Sequence, residues 1–520
     1  NHVFNDIHIT NFFAGTEINS TDRSKNYYQG WGMQYSMGEI PYYVYEFFKK
    51  GIEDGNNYYS LSQTRSRSAA FFANATYSYK GRYTVNGTAR YEGTNRMGKS
   101  RSARWLPTWN VSGAWNAHEE KFFSNLTSVL SHFTLKASYS LTADRGPADV
   151  TNSQAIITSY SPYRPFTSIQ ESGLYIKELE NSELTYEKKH ELNIGADMGF
   201  LNNRINLAVD WYKRNNYDLI GIVNTQGAGG QILKYANIAS MKSHGIEFTL
   251  STKNIKTKDF NWNTDFIFSN AKNEVTDLKQ NANVMELISG NGFAKQGYPV
   301  RGLFSIPFVG LDKDGIPVII NEKGEATSTD INFQERQNTG FLKYEGPTDP
   351  TITGSLGNMF SYKGFRLNLF ITYSFGNVIR LNPVFKAYYS DLTAMTREFK
   401  NRWTLPGDEA KTNVPAILSK RMYDSNEDLK YAYNAYNYST ERIAKGDFIR
   451  LKEISLAYDF PKAWINPLKL TDLSLKVQAT NLFLIYADDK LNGQDPEFFN
   501  AGGVASPVPR QFTITLRLGL

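Results

Sequence analysis

The most recognisable chemical motif in this sequence lies at residues 93–100, which read Gly-Thr-Asn-Arg-Met-Gly-Lys-Ser. The two glycines, the lysine and the serine have the spacing of a phosphate-binding loop, in which backbone N–H groups and a helix N-terminus hold phosphate. Such a loop requires a strand before it and a helix after it. Because residues 101–106 run into Pro107 and another predicted strand, we expect no helix here and no nucleotide site.

A second stretch has residue types suited to binding a cation. Asp312, Lys313, Asp314 and Gly315 resemble the start of a calcium-binding loop. The carboxylate expected at the twelfth position of such a loop is missing, because that position is Lys323. The incomplete ligand set favours a polar turn in a long connection, and the sequence leaves cation binding there undecided.

One grouping suggests hydrolysis, namely His190 beside Glu191 with Ser182 nearby. An enzyme needs a nucleophile, a base and an orienting group that meet in space, and the sequence supplies no such trio. None of the six histidines lies at a helical metal-binding spacing from another. We therefore predict no catalytic residue, no cofactor and no metal ligand, and expect that the protein is not an enzyme.

The elements that position these residues are strands with one apolar and one polar face. In the segment 473–480, Leu473, Leu475 and Val477 alternate with polar residues, and residues 511–520 repeat the pattern with Arg517 on the polar side. Side chains alternate between the two faces of a strand. A soluble sandwich buries the apolar face in a core, whereas a membrane barrel turns it to lipid.

The connections between the strands favour a barrel in a membrane. We count about fourteen strands, and long and short connections alternate strictly between them. Short turns at one end and long loops at the other are typical of an outer-membrane barrel, in which the short turns are periplasmic. The strand at 447–458 breaks the alternation, which predicts either a bulge or a strand end above the lipid. Short connections are predicted at 80–81, 118–131, 200–203, 254–258, 362–364 and 460–470, and long ones near 20–68, 93–106, 143–187, 216–242, 271–352, 377–446 and 485–509.

Composition agrees with an all-β chain that works outside the cytoplasm. The 520 residues include 33 Tyr, 33 Phe and 39 Gly, which suits aromatic-belted strands and polar loops. No apolar run reaches the roughly 18 residues of a transmembrane helix. The absence of cysteine suits an oxidising compartment. The net charge of +6 comes from scattered basic residues, so nucleic acid is not an expected partner.

Charged and amide side chains on the polar faces form the largest set of candidate functional residues. Placing Arg or Lys in the lipid midplane costs roughly 2–4 kcal/mol, so these groups are expected to face the barrel lumen. They are compatible with a solvated wall or with a wall that contacts a plug, and the presence of both signs of charge slightly favours the plug. The predicted lumen- or plug-facing residues are Arg90, Lys136, Glu191, Asp197, Asp210, Asp265, Arg366, Lys476, Gln478 and Arg517.

Several blocks of the sequence, in order, resemble those of one known family. The residues that carry the resemblance are Arg90, Tyr91, Glu92, Gly93, Thr94, Asn95, Arg96, Met97, Gly98, Trp105, Leu106, Pro107, Ala114, Trp115, Glu119, Glu120, Phe122, Gly354, Asn358, Phe360, Tyr362, Lys363, Gly364, Phe365, Gly376, Asn377, 447–456, Asn481, Leu482, Phe483, Asp495, Pro496, Glu497, Pro509 and Arg510. Together they resemble the C-terminal part of the SusC/RagA family, the TonB-dependent outer-membrane importers of Bacteroidetes. The likeness spans nearly the whole chain. One departure is Leu520, where the family usually ends in Phe.

The resemblance implies a fold and a function for the longer protein. It predicts that residues 1–520 are the C-terminal part of a barrel of about 22 strands, with the plug domain and the TonB-contacting segment outside this chain. It implies TonB-dependent import of an oligosaccharide or an oligopeptide across the bacterial outer membrane, together with a SusD-like surface lipoprotein as a lid. The long loops are then extracellular and the C-terminus is periplasmic.

The long loops and the overall function each allow alternatives. Tyr388, Tyr389, Tyr433 and Tyr436 lie in long loops and are candidates for contact with substrate or with the lid, since aromatic rings stack on sugars and pack against protein partners. The competing functions are a passive porin closed by its own fourteen strands, an outer-membrane hydrolase that depends on His190, and an adhesion barrel that binds its ligand without importing it.

Overall fold

A single antiparallel sheet of 15 strands dominates the computed structural model of this chain. The structure describes residues 2–5, 7–42, 44–56, 58–147, 155–160, 171–224, 227, 233–387, 389, 396–499 and 509–520. Each strand of the sheet pairs with the next sheet strand along the chain, so the sheet is a meander, the arrangement of an up-and-down barrel. The predicted all-β antiparallel fold is confirmed.

The sheet strands are numbered here in chain order. Fourteen of them are long, and the first is a short addition to the number expected. Their bounds are β1 His2–Phe4, β2 His8–Tyr28, β3 Tyr59–Tyr79, β4 Tyr83–Thr94, β5 Trp105–Asn116, β6 Leu130–Asp144, β7 Glu187–Phe200, β8 Ile205–Asn224, β9 Leu233–Lys256, β10 Phe260–Leu278, β11 Ile352–Tyr362, β12 Phe365–Phe375, β13 Phe448–Asp459, β14 Asp472–Ala487 and β15 Gln511–Gly519.

Tight turns join the hairpins at one end of the sheet, as predicted. Between β11 and β12 the turn consists of Lys363 and Gly364 alone, and both have positive φ angles of 43° and 90°. Two consecutive positive φ angles define the turn whose twist matches that of paired strands. A Cβ atom on Gly364 would lie 2.9 Å from the carbonyl oxygen of Asp459, so the turn requires glycine.

Two predicted long connections are shorter in the structure, because the strands continue into them. The connection predicted at 20–68 is reduced to 29–58, since β2 reaches Tyr28 and β3 begins at Tyr59. The connection predicted at 216–242 is reduced to 225–232. Residues 20–28 are all exposed. A strand with water on both faces needs no apolar alternation, so the periodicity gave no signal there.

The alternation of connection lengths is also less strict than predicted. The connection 117–129, at the short-turn end, is longer than 95–104 and 225–232 at the opposite end. It contains two 3-10 helices, Ala117–Glu119 and Lys121–Asn125, and the side chains of Ala117 and Phe123 are buried. Packing of this connection against the strand ends therefore explains its length.

The bulge predicted in β13 is confirmed. The pairing of β13 shifts register at Lys452 against both neighbours, between Phe370 and Ile371 on one side and between Leu451 and Glu453 on the other. Because one residue is extra there, Leu451 and Ile454 pair on the same face although their spacing is odd. The apolar face of the sheet thus remains continuous.

The long connections contain smaller elements. Within the described residues no helix combines the length and the hydropathy needed to cross a membrane. The paired short strands are Met33–Gln34 with Ile40–Pro41, Ile156–Tyr160 with Gly173–Glu178, Gly302–Ser305 with Lys343–Pro347, Phe308–Leu311 with Pro317–Ile320 and Ala326–Thr327, and Val378–Arg380 with Ile443–Lys445. The α-helices are Tyr45–Glu53, Arg101–Arg104, Val284–Ile288, Lys420–Ser425, Leu429–Asn437 and Lys462–Ile465. The other 3-10 helices are Tyr35–Met37, Arg397–Asn401, Asp408–Ala410, Thr440–Arg442, Asn466–Leu468 and Asp489–Leu491.

The connections 279–351, 376–447 and 488–499 pack together into one body, called here the loop module. One buried cluster joins residues 282–342 to Ala435, a second joins Ile316 to residues 385–436, and a third joins Ile379 and Ala444 to Leu491. These long connections therefore have a hydrophobic core of their own and are not loose loops.

Candidate functional site

The polar face of the sheet is the first candidate site. Residues directly opposite each other in paired strands lie on the same face. Following the pairs from β4 to β15 places all ten predicted residues on one face, for example Ala114 opposite Lys136, Lys136 opposite Gly195 and Gly195 opposite Asp210. The opposite face exposes large apolar side chains: Val85, Val111, Tyr139, Ile194, Trp211, Ile246, Leu456, Val477 and Ile514.

Arg90 lies at the centre of an ionic network on this polar face. Its guanidinium donates to Glu17 at 2.8 Å and to Glu92 at 2.6 and 2.8 Å. Glu92 also accepts from Arg145. The network joins strands β2 and β4 to Arg145, the residue that directly follows β6, and its members are only partly exposed. It therefore holds the wall of the sheet together near the end where the long connections begin.

Most other predicted residues of the polar face form cross-strand contacts. Lys136 pairs with Asp197 at 2.7 Å. Glu191 pairs with Arg214 of the neighbouring strand β8 at 3.1 Å, and with Lys189 of its own strand at 2.8 Å.

Towards the C-terminus the pairing is less complete. Arg366 pairs with Asp459 at 2.8 Å, and Lys476 pairs with Glu453 at 3.7 Å. Asp265 accepts a hydrogen bond from Ser251 at 2.6 Å. Among the described residues, Asp210, Gln478 and Arg517 have no side-chain partner. A role of this face in lining a lumen or contacting a plug stays a prediction.

The loop module is the second candidate site, and buried arginines hold it together. Arg380 donates to the carbonyl oxygens of Ser439 at 2.8 Å and Phe304 at 2.5 Å, and burial lowers its pKa to about 9. Arg442 pairs with Glu398 and lies 4.8 Å from the ring centre of Phe385. These cations connect segments far apart in the sequence.

A third buried arginine anchors the loop module to the sheet. Arg450, near the start of β13, donates to both carboxylate oxygens of Asp495 at 2.6 and 2.7 Å. Glu497 adds a contact at 3.1 Å. Both bonds come from the single nitrogen Nη2 of Arg450, so the carboxylate neutralises the guanidinium through one of its corners.

The loop tyrosines differ from the prediction of substrate or lid contact. Tyr433 and Tyr436 are 1% and 2% exposed, in the core formed by the helix Leu429–Asn437, and burial raises the pKa of both phenols. The Tyr433 hydroxyl donates to the carbonyl oxygen of Ala416 at 2.6 Å. For these two rings the prediction is corrected, because alternating Tyr and Ala along a helix build a core here.

The other two predicted tyrosines have different outcomes. Tyr389 is half-buried, its hydroxyl donates to the carbonyl oxygen of Val384 at 3.2 Å, and burial raises its pKa to about 12. It also packs edge-on against Phe399. Tyr388 lies outside the described residues. Contact of either with substrate or lid stays a prediction.

The loop at 93–100 has a short helix after it, contrary to the expectation of none. The helix Arg101–Arg104 is capped by the Ser100 hydroxyl, which accepts from the Ala103 N–H at 3.2 Å. The loop nevertheless cannot hold phosphate in this arrangement. The Gly98 N–H donates to the carbonyl oxygen of Leu184 at 2.8 Å, and Lys99 pairs with Glu180 at 2.9 Å.

The candidate cation loop is a polar turn, as favoured. One carboxylate oxygen of Asp312 accepts from the N–H groups of Asp314 and Ile316, both at 2.9 Å. The turn joins two short strands of the loop module. No cluster of three metal-binding side chains occurs anywhere in the described part of the chain.

The grouping of His190, Glu191 and Ser182 is not brought together. His190 lies on the apolar face, stacked between Tyr139 and Tyr217 with ring centres 5.8 and 5.7 Å away. Glu191 is the next residue in the strand and therefore points to the polar face. The Ser182 carbonyl oxygen accepts from Ser100 in another connection. The arrangement has the geometry of an aromatic belt.

Sequence reasoning missed several members of both sites. Glu92 had a detectable signal, because it lies two residues from Arg90 on the same strand face. Arg145 and the pairing of Arg450 with Asp495 had none, since long connections separate the partners. Arg380 and Arg442 were invisible for the same reason.

Comparison with known proteins assigns this architecture to a family. Residues 2–482 match the family model described as "TonB dependent receptor-like, beta-barrel". TonB-dependent receptor P39 of Formosa agariphila is 26% identical over all of this chain and 52% of its own length. TonB-dependent receptor SusC of Bacteroides thetaiotaomicron is 26% identical over 91% of this chain and 47% of its own length.

Solved structures show the same fold. The structure described as the RagAB peptide transporter covers 99% of this chain and 54% of that chain, with a TM-score of 0.78 and 21% identity. The "open-open" state of the RagAB peptide importer gives a TM-score of 0.76 over 100% of this chain and 53% of that chain. This chain spans about half the length of these relatives.

Proposed function

This chain belongs to the TonB-dependent receptor-like β-barrel family, and we propose that the whole protein imports an oligosaccharide or an oligopeptide across the bacterial outer membrane with energy supplied through TonB. The observation that carries the proposal is the match of residues 2–482 to the family, together with the sheet it describes. One face of that sheet exposes apolar side chains, and the other carries paired charges. Such a wall suits a barrel with lipid outside and polar contents inside.

The polar face supports the presence of a plug in the lumen. Charges of a single sign would indicate a passive pore that selects its solutes by charge. This wall instead contains both signs, arranged in local pairs. Half-exposed ion pairs contribute little free energy, so their charged groups can leave one another and pair with charges on a facing protein surface at little cost. Asp210 and Arg517, which lack partners among the described residues, are the groups best suited to contact plug side chains.

The loop module supports the assignment of a lid and of an orientation. A SusD-like surface lipoprotein is the proposed lid, and the relatives named SusC and RagAB support it. A rigid body with its own core offers a partner a preformed surface, which lowers the entropic cost of docking. In this proposal the long connections are extracellular and the C-terminus is periplasmic.

The experiment that tests the function is energy-dependent uptake. Cells that carry the full-length protein and its partner are given labelled oligopeptides or oligosaccharides, with and without an uncoupler that collapses the inner-membrane proton gradient. TonB-dependent import stops with the uncoupler and stops when TonB is deleted, while surface binding persists. Uptake that continues unchanged in both conditions refutes the proposal and assigns a passive porin.

A further inference from the structure

Two neighbouring cavities lie where the connection 376–447 meets residues 481–499. One has a volume of about 1020 Å³ and the other about 230 Å³. Five residues line both: Asn382, Arg397, Asn492, Gln494 and Phe499. The two cavities are therefore compartments of a single cleft, called here the loop cleft. Its larger compartment has the size of an ordinary small-molecule site.

The walls of the loop cleft contain polar atoms that lack partners. The Thr396 hydroxyl and the Arg442 Nε atom in the smaller compartment are buried and make no hydrogen bond. The same holds for the Arg450 Nε atom and the Asn481 amide oxygen in the larger compartment. These are four of the eleven such side-chain atoms in the described part of the chain. Each such group calls for an explanation, and their grouping marks the surroundings of the cleft as a polar part of the loop module.

The charge of the smaller compartment favours an anion. Among the described residues, its lining includes three cations and one carboxylate, Glu398, which is already paired with the buried Arg442. Arg397 and Lys490 have no carboxylate partner among the described residues. The ammonium group of Lys490 donates to the carbonyl oxygen of Ile443, at 3.4 Å. Within the described part of the chain, two cations beside the cavity therefore have no carboxylate to neutralise them.

We propose that the loop cleft binds the carboxylate-bearing end of the imported oligomer, an inference that rests on the proposed import function. The carboxylate lies in the smaller compartment against Arg397 and Lys490. The larger compartment receives the next residues of the oligomer, where the amides of Asn492 and Gln494 pair with hydroxyl or peptide groups. A peptide C-terminus and an acidic sugar supply the same carboxylate, so the site selects for the acid group first.

The test compares acids with matched neutral compounds on the purified full-length transporter with its partner. The probes are penta-alanine and its C-terminal amide, and trigalacturonic acid and its methyl ester. Isothermal titration calorimetry is expected to show that the acid binds about tenfold more tightly than its neutral form in at least one of the two pairs of probes. The acid gains two partly exposed ion pairs, each of which contributes at most about fivefold. A preference within only one pair of probes identifies the carboxylate source as peptide or sugar.

Variants assign the preference to the loop cleft. Arg397→Gln is expected to reduce the acid preference about threefold, and Lys490→Gln by a similar factor, since two such factors multiply to about tenfold. Lys400→Gln is the matched control, because Lys400 lies on the same 3-10 helix as Arg397 but lines neither cavity. Equal binding of acids and neutral forms, no binding of either acid, or equal effects of the Arg397 and Lys400 variants each overturns the inference.

The same variants separate this inference from the proposed function. Uptake that needs TonB but shows no preference for the acid refutes carboxylate binding in the loop cleft and remains consistent with TonB-dependent import. Uptake that ignores the uncoupler refutes the importer, whatever the cleft binds. If Arg397→Gln fails to reach the outer membrane, Lys490→Gln provides the test, since both side chains are exposed and neither supports the core.

Discussion

Burial determines how much an ion pair stabilises this protein, and the chain provides a matched pair of cases. Arg450 donates to Asp495 at 2.6 Å, and their side chains are 5% and 8% exposed. Arg366 donates to Asp459 at 2.8 Å, and their side chains are 50% and 48% exposed. Both arginines lie on neighbouring strands of the sheet, so the pairs differ chiefly in access to water.

Replacing the two aspartates by asparagine is therefore expected to have unequal effects. In Asp495→Asn the guanidinium of Arg450 stays buried without its carboxylate, which costs about 3 kcal/mol. We take the lower end of the usual range because Glu497, 3.1 Å away, remains as a partner. In Asp459→Asn, water solvates the released Arg366, and the cost stays below about 1 kcal/mol.

Hydrogen exchange measured by mass spectrometry reports the loss of local stability around each replaced aspartate. A loss of about 3 kcal/mol in the free energy of local opening speeds amide exchange by about 100-fold, and 1 kcal/mol by about fivefold. Peptides that cover residues 447–452 and 493–499 report on Asp495→Asn, and peptides that cover 455–460 report on Asp459→Asn. Equal acceleration in the two variants, or less than threefold in Asp495→Asn, refutes the reasoning from burial.

Three further outcomes are expected. Gly98→Ala places a Cβ atom against the Ser182 carbonyl oxygen, which should displace the connection that contains Ser182. Proteases should then cleave residues 171–186 more readily than in the wild type. The control Gly87→Ala meets nothing within 4 Å and should leave cleavage unchanged. His190→Phe keeps the stacking between two tyrosines, so uptake should stay at the wild-type level; a loss of substrate hydrolysis would instead support an enzyme. Gly364→Ala forces alanine into a left-handed turn at about 1–2 kcal/mol, and the folded barrel should convert to the unfolded band at a lower temperature in gel electrophoresis.

The sequence predicted the sheet well because strand faces repeat with period two. The alternation in β14 and β15 located both strands and their polar faces, and the odd spacing in β13 located the bulge. The same logic failed at residues 20–28, where water on both faces removes the pattern. The apolar–polar alternation along a strand requires that one face meet an apolar environment and the other a polar one. Where both faces meet water, the alternation is lost.

The candidate sites were predictable only on the sheet. Arg90 and Lys136 were found because strand position fixes the face of a side chain. The partners of Arg442 and Arg450 come from segments more than forty residues away. Tertiary packing decides such contacts, and no local pattern encodes them. Tyr433 and Tyr436 show the converse, since a run that suggested a binding surface is the core of a helix.

The three-part origin of the loop module sets the order in which the protein can fold. Its clusters join Ala282 to Ala435 and Ala444 to Leu491, and each of these connections begins and ends at a strand of the sheet. Closing such distant contacts in a free chain is entropically costly, whereas paired strands β10 to β15 bring the ends of the connections close together. The module therefore completes its core only after these strands have assembled, and its protection from proteases is a late marker of barrel biogenesis.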